Sequence, residues 1–172
     1  MRGVKKKNPF QLNNRGISLT ELIVVIAIMA VLAGGGITMM GLIPRMQVNG
    51  CIQDFAGNMG RVKTNTMSFQ EVKAELYQDN TGVYMQVYKG GVAEEAVMIG
   101  EKGVCVKAVI NGLDVDLKGK KLELSYDRSS GAFNDVQVVG GGEHGECESI
   151  TFYKGTTERT ATLIKLTGKI TY

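Results

Sequence analysis

The chain has 172 residues, 44% of them apolar, 22% charged and 6% aromatic, with 23 glycines, 2 prolines and a formal charge of +3. That suits one ordinary domain plus an appendage, and it excludes a multidomain machine, a collagen, a chain that is coiled coil throughout and a disordered polymer. Arg2, Lys5, Lys6, Lys7 and Arg15 all fall in the first 16 residues, which hold no acid, so the chain from Ile17 onward has 15 basic and 17 acidic residues and a net charge of −2.

After this basic leader, Leu22 to Ile43 reads LIVVIAIMAVLAGGGITMMGLI, 22 residues whose only polar side chain is Thr38. The length predicts a transmembrane helix: counted from Ile17 it spans roughly 40 Å at about 1.5 Å per residue, against a hydrocarbon core of roughly 30 Å. The positive-inside rule keeps the leader in the cytoplasm and carries the chain beyond Pro44 across the membrane. A single-pass protein of the cytoplasmic membrane with its C-terminal domain outside is therefore expected. A cleaved secretory signal and a permanent signal anchor are simpler readings, but neither accounts for Glu21.

An ionised carboxylate in an apolar span costs on the order of 2.5–3.5 kcal/mol at the helix centre and less toward the end. A cut after Gly16 would place a new α-amino group, with an ordinary pKa of about 8, on Ile17. It would stand four residues before Glu21 on the same helix face and compensate the charge. The plain alternative is a carboxylate that snorkels to the headgroups.

Arg15-Gly16-Ile17-Ser18-Leu19-Thr20-Glu21, followed by the long apolar run, resembles the class III signal of type IV prepilins and type II secretion pseudopilins. The resemblance implies that a membrane prepilin peptidase cuts after Gly16 and methylates Ile17. It makes Glu21 the acid that meets the terminal ammonium of a neighbouring subunit during assembly. It covers about 30 of the 172 residues and draws its specificity from the combination of leader, glycine, glutamate and span. Ile17 and Thr38 stand where the family most often has phenylalanine and proline; Gly34, Gly35 and Gly36 offer another place for the helix to loosen.

Beyond Pro44, apolar residues recur at Val48, Ile52, Phe55, Met59, Val62, Phe69, Val72 and Leu76, with Thr66 filling the gap. Steps of three and four predict that the helix continues outward as an amphipathic one, over residues 44–79, packing one face on a sheet. Ser68 and Glu71 match a capping box, which predicts a break near Asn65 to Ser68 and a second short helix to about Gln78. Glycines at 50, 57 and 60 weaken the case for unbroken helix.

From residue 80 the texture changes to short β-branched and aromatic runs. Val83–Tyr88, Ala96–Ile99, Val104–Ile110, Lys121–Tyr126, Val136–Val139, Ser149–Tyr153, Thr160–Leu166 and Lys169–Tyr172 are expected as strands of an exported antiparallel sheet domain. The expected fold is α+β and type IV pilin-like: a long N-terminal helix packed on a C-terminal antiparallel sheet. The final stretch from Ile150 to Ile170 is similar to the closing hairpins of H-type minor pseudopilins and FimT-like minor pilins.

Cys51, Cys105 and Cys147 form an odd set in an exported protein; Cys105 and Cys147, both in the β region, are the candidate disulfide, with Cys51 a buried thiol. No CxxC spacing exists, so zinc is disfavoured; Glu143-His144-Gly145-Glu146-Cys147 reads as a glycine-flanked turn, and Asp114 and Asp116 as solvated carboxylates. Gly140-Gly141-Gly142 has no phosphate-loop lysine, and His144 has no nucleophile motif beside it, so no enzyme, metal or cofactor is expected.

The resulting expectation is a structural subunit, a minor pilin or pseudopilin. Its partners would be other such subunits, prepilin peptidase, membrane lipid and an inner-membrane assembly platform, and it would end in a surface or periplasmic filament. Two alternatives stand beside it. One is a pilin-like module that captures DNA through Lys154, Arg159, Lys165 and Lys169; the other is an unprocessed, signal-anchored β domain.

Overall fold

The computed structural model describes the backbone of residues 18–39 and 42–172 and the side chains of residues 18–33 and 42–172. The leader and Ile17 lie outside the described residues. The chain divides into two compact units, Met1–Met40 and Gly41–Tyr172.

In the first unit, α1 (Leu19–Met39) is a helix of 21 residues whose backbone stays helical across Gly34, Gly35 and Gly36. Its described side chains are exposed on every side, Leu22, Ile23, Val24, Met29 and Leu32 among them. A helix that is apolar all round has no polar face to give to water. Among the described residues no helix is long and apolar enough to cross a membrane; the apolar run read from the sequence continues through residues 34–41, whose side chains lie outside the described set.

The second unit opens with α2 (Leu42–Ser68), which is unbroken through Gly50, Gly57 and Gly60. Pro44 sits in its first turn, where a missing N–H deprives the helix of nothing. Val48, Cys51, Ile52, Phe55, Met59, Val62 and Thr66 form its buried stripe, as the periodicity predicts up to that point. The glycines face open space, so each lowers helix propensity without opening a void in the core.

The helix then stops. Phe69 donates a last helical hydrogen bond to the Asn65 carbonyl, Glu71 turns the chain with φ of +54°, and Val72–Gln78 is a strand, β1, rather than a second short helix. No helix begins at Ser68, so the expected capping box there does not form.

The remaining strands, in chain order, are β2 (Val83–Lys89), β3 (Val92–Ala93), β4 (Val97–Gly100), β5 (Cys105–Ile110), β6 (Leu113–Asp116), β7 (Lys121–Ser125), β8 (Val136–Val139), β9 (His144–Gly145), β10 (Cys147–Lys154), β11 (Thr157–Ile164) and β12 (Lys169–Thr171). They form two sheets where one was expected. A seven-stranded sheet has the order β3-β2-β1-β7-β8-β9, with β4 also pairing β2, and a five-stranded sheet has the order β12-β11-β10-β5-β6. All the strand pairs are antiparallel.

Helix α2 packs on both sheets, against β11 and β10 on one side and β4, β1 and β2 on the other. Alternation delivers the inward residues: Ala74 and Leu76 from β1, Leu122 and Leu124 from β7, Val106, Ala108 and Ile110 from β5, and Ile150 and Phe152 from β10. Phe55 of α2 meets Phe152 with ring centroids 5.6 Å apart. Gly100 lets α2 approach β4 closely, since a Cβ there would stand 3.0 Å from the Cys51 sulfur.

The three cysteines are free. Cys105 pairs with Tyr153 and Cys147 with Ile110, which places them at opposite ends of the β5–β10 ladder. The intervening strand of 6 residues separates them by roughly 17 Å, far beyond the roughly 7 Å limit for a bridge. The expected Cys105–Cys147 disulfide is therefore not formed.

Candidate processing and assembly site

Gly16 and Ile17, the expected cleavage pair, lie outside the described residues; the described part of the site begins at Ser18. There the chain forms a reciprocal cap. The Ser18 amide donates to Glu21 Oε2 at 3.0 Å and the Glu21 amide donates to Ser18 Oγ at 3.2 Å. This is the S-x-x-E capping box, which satisfies two donors that the first turn of a helix leaves without partners. Glu21 also lies where the partial positive charge of the helix N-terminus favours an anion.

Glu21 stands in the first turn of α1, and Ser18, which the sequence analysis does not name as its partner, caps it. The signal was present in Ser18-Leu19-Thr20-Glu21, the same pattern that Ser68-Phe69-Gln70-Glu71 shows without forming a cap. Chemically, the box draws the carboxylate back toward the residue next to Ile17. A new amino terminus at Ile17 would carry its charge one residue from the amide that this carboxylate already holds.

Elsewhere the titratable residues of the Glu143–Cys147 segment point to separate partners. Glu143 is held by Lys120 at 3.1 Å and Glu146 by Lys165 at 3.4 Å, while His144 lies in β9 opposite Gln137. Among the described residues no group of three or more His, Cys, Asp or Glu side chains is placed to hold a metal ion. Asp114 and Asp116 share the exposed face of β6, and Asp116 caps the Lys118 amide at 2.9 Å.

The basic residues of the DNA reading do not form one free cationic surface. Lys165 lies 2.7 Å from Asp135, and this pairing pushes its ammonium pKa upward. Lys154 donates to the Lys102 carbonyl, and Arg159 donates from Nε to Asn49 Oδ1 at 2.9 Å. Lys169 stands on β12.

A polar cluster that the sequence reading did not anticipate lies on β1, β2 and β7. The Glu75 side chain, only 9% exposed, accepts from Lys121 at 2.9 Å and from the Tyr88 hydroxyl at 3.0 Å, while Lys73 pairs with Glu123 at 3.0 Å. Burial, and then the bond to Glu75, push the Tyr88 phenol upward; the Glu75 bond does the same to Lys121. These pairings tie three strands together.

Comparison with known proteins bears on the first unit only. Neither a curated protein nor a solved structure matches the chain. The family model described as Prokaryotic N-terminal methylation motif matches residues 11–37. That segment contains Gly16, Ile17, the Ser18–Glu21 cap and most of α1, so the head of this chain carries the prokaryotic N-terminal methylation motif, the type IV prepilin-type signal.

Proposed function

We propose that the chain is a structural subunit, a minor pilin or pseudopilin, of a type IV pilus or a type II secretion-like filament. Prepilin peptidase cuts it after Gly16 and methylates Ile17. The subunit waits in the cytoplasmic membrane through its apolar helix and enters the filament with Glu21 facing the ammonium of a neighbour. The observation that carries this reading is the methylation motif over residues 11–37, whose acid stands capped in the first turn of a helix with apolar side chains on every described side. Inside a low-dielectric bundle of such helices an unmatched carboxylate is costly, and pairing with an ammonium removes that cost.

The α+β unit from Gly41 onward, with one helix laid on antiparallel strands, supports a pilin-like domain outside the membrane. The test is the intact mass and N-terminal sequence of the membrane-extracted chain, expressed with and without prepilin peptidase. A peptidase-dependent start at Ile17 with one added methyl is expected. Glu21→Ala should leave cleavage in place and abolish incorporation into filaments. A retained leader, or a cut near Ala33, would overturn the proposal in favour of an anchored or secreted β domain.

A further inference from the structure

Two adjoining clefts open between the start of α2 and the β10–β11 hairpin, and both use Arg159. One, of about 450 Å³, is lined by Arg45, Thr156, Thr157, Glu158 and Arg159; the other, of about 420 Å³, is lined by Asn49, Ile52, Gln53, Arg159 and Tyr172. We infer that this place binds a phosphate group, supplied by the headgroup of an anionic phospholipid. The inference rests on the proposed membrane residence of the apolar segment.

Strand alternation puts Thr157 and Arg159 on the face of β11 that also carries buried Ala161 and Leu163, and puts Glu158 on the other. On the helix side, Arg45 and Asn49 are four residues apart and share a face. Asn49 accepts from Arg159 Nε at 2.9 Å. That bond orients the guanidinium and leaves its two terminal nitrogens for an incoming oxyanion, the fork that phosphate accepts bidentately.

Neither guanidinium is neutralised by a carboxylate, a state they share with other described basic side chains such as Arg61, Lys107 and Arg128. Lys73, Lys89, Lys120, Lys121 and Lys165 all have carboxylate partners within 4.0 Å, whereas among the described residues neither Arg45 nor Arg159 has one, even with Glu158 at the rim. In the first cleft two guanidiniums stand against the single Glu158 carboxylate and leave it cationic; the second is shared by Arg159 and Tyr172.

The source of the phosphate follows from the neighbours of Arg45. Leu42, Ile43 and Met46 are 51%, 54% and 72% exposed on the same first turns of α2. Exposed apolar side chains beside an unpaired arginine mark the boundary between hydrocarbon and headgroups, where phosphodiesters are concentrated. A free phosphate would use the arginines but have no need of the apolar rim.

The full chain in nanodiscs tests this by hydrogen–deuterium exchange of the hairpin 155–159 and of α1 together. Three samples are compared: phosphatidylcholine alone, phosphatidylcholine with one-third phosphatidylglycerol, and phosphatidylcholine with inorganic phosphate. Slower exchange of the hairpin only with phosphatidylglycerol is expected. The apparent affinity of the hairpin for phosphatidylglycerol should fall about fivefold for Arg45→Gln and about fivefold for Arg159→Gln, because each basic group near an anionic surface contributes about that factor. Arg159→Lys, which keeps the charge but not the fork, should recover only part of the loss, and Glu158→Gln should raise the affinity.

Equal protection by inorganic phosphate would overturn the lipid source. No hairpin response to phosphatidylglycerol while α1 stays protected would overturn the site and leave the membrane reading intact. Rapid exchange in α1 itself would overturn both.

Discussion

Ser18 and Glu21 show how one side chain serves two ends. The hydroxyl and carboxylate that start α1 cap each other, so the acid proposed for assembly is also part of the helix cap. The cysteines are governed instead by burial, which pushes the Cys51 and Cys147 thiols up to about 12 and keeps them protonated and out of reach. Cys105 is half-buried. Alkylation of the native chain at pH 8 should therefore modify Cys105 alone, and denaturation without reductant should expose all three thiols; mass spectrometry distinguishes this from a Cys105–Cys147 bridge, which would leave only one. Asp127 provides a pH prediction. Hydrogen bonds from the Ser129 hydroxyl first, and then from Ser130, lower its carboxyl from 3.8 to about 2. A lowered pKa stabilises the fold above the unfolded value and loses that contribution as pH falls through the folded one. The 127–130 turn should thus hold its amide protection above about pH 4 and lose it between about 4 and 2, and Asp127→Asn should abolish that dependence in an exchange measurement.

At the scale of elements, the apolar stripe of α2 was legible from Val48 to Thr66 because a helix with one covered face must repeat apolar residues at steps of three and four. Phe55 is its centre, fully buried against Phe152. Phe55→Ala should cost about 3–5 kcal/mol in chemical denaturation, through lost transfer free energy and the cavity left behind; a loss under about 1 kcal/mol would show that the helix does not depend on that contact. The stretch after Ser68 was misread because Phe69, Val72 and Leu76 fit a helical period while Val72, Ala74 and Leu76 fit a strand period equally well. Pairing resolved the ambiguity: β1 lies between β2 and β7 and makes ladders with both, which outweighs any local preference for helix. For the same reason the pattern S-x-x-E caps a helix at Ser18 and not at Ser68. The capping residues are alike, but only the first is followed by a segment with no strands to pair with.

At the scale of the whole molecule, the buried core runs from Val48 to Leu163 and draws on α2 and both sheets. Among the described residues it lies within the unit Gly41–Tyr172. A fragment of residues 41–172 should therefore unfold cooperatively at the same thermal midpoint as the β-containing unit of the full chain in detergent, with a scanning calorimeter as the check; a non-cooperative fragment would show that the core needs the first unit. The sequence by itself determined the basic leader, the apolar helix headed by Glu21, the amphipathic stripe and most of the strands, because each is written in local charge or in a short period. Only the tertiary structure decided that the strands divide into two sheets, that Val72–Gln78 joins one of them, that Cys105 and Cys147 stand at opposite ends of a ladder, and that Arg45 and Arg159 share a cleft. Those outcomes depend on which segments meet across long stretches of chain, and no local period records that choice.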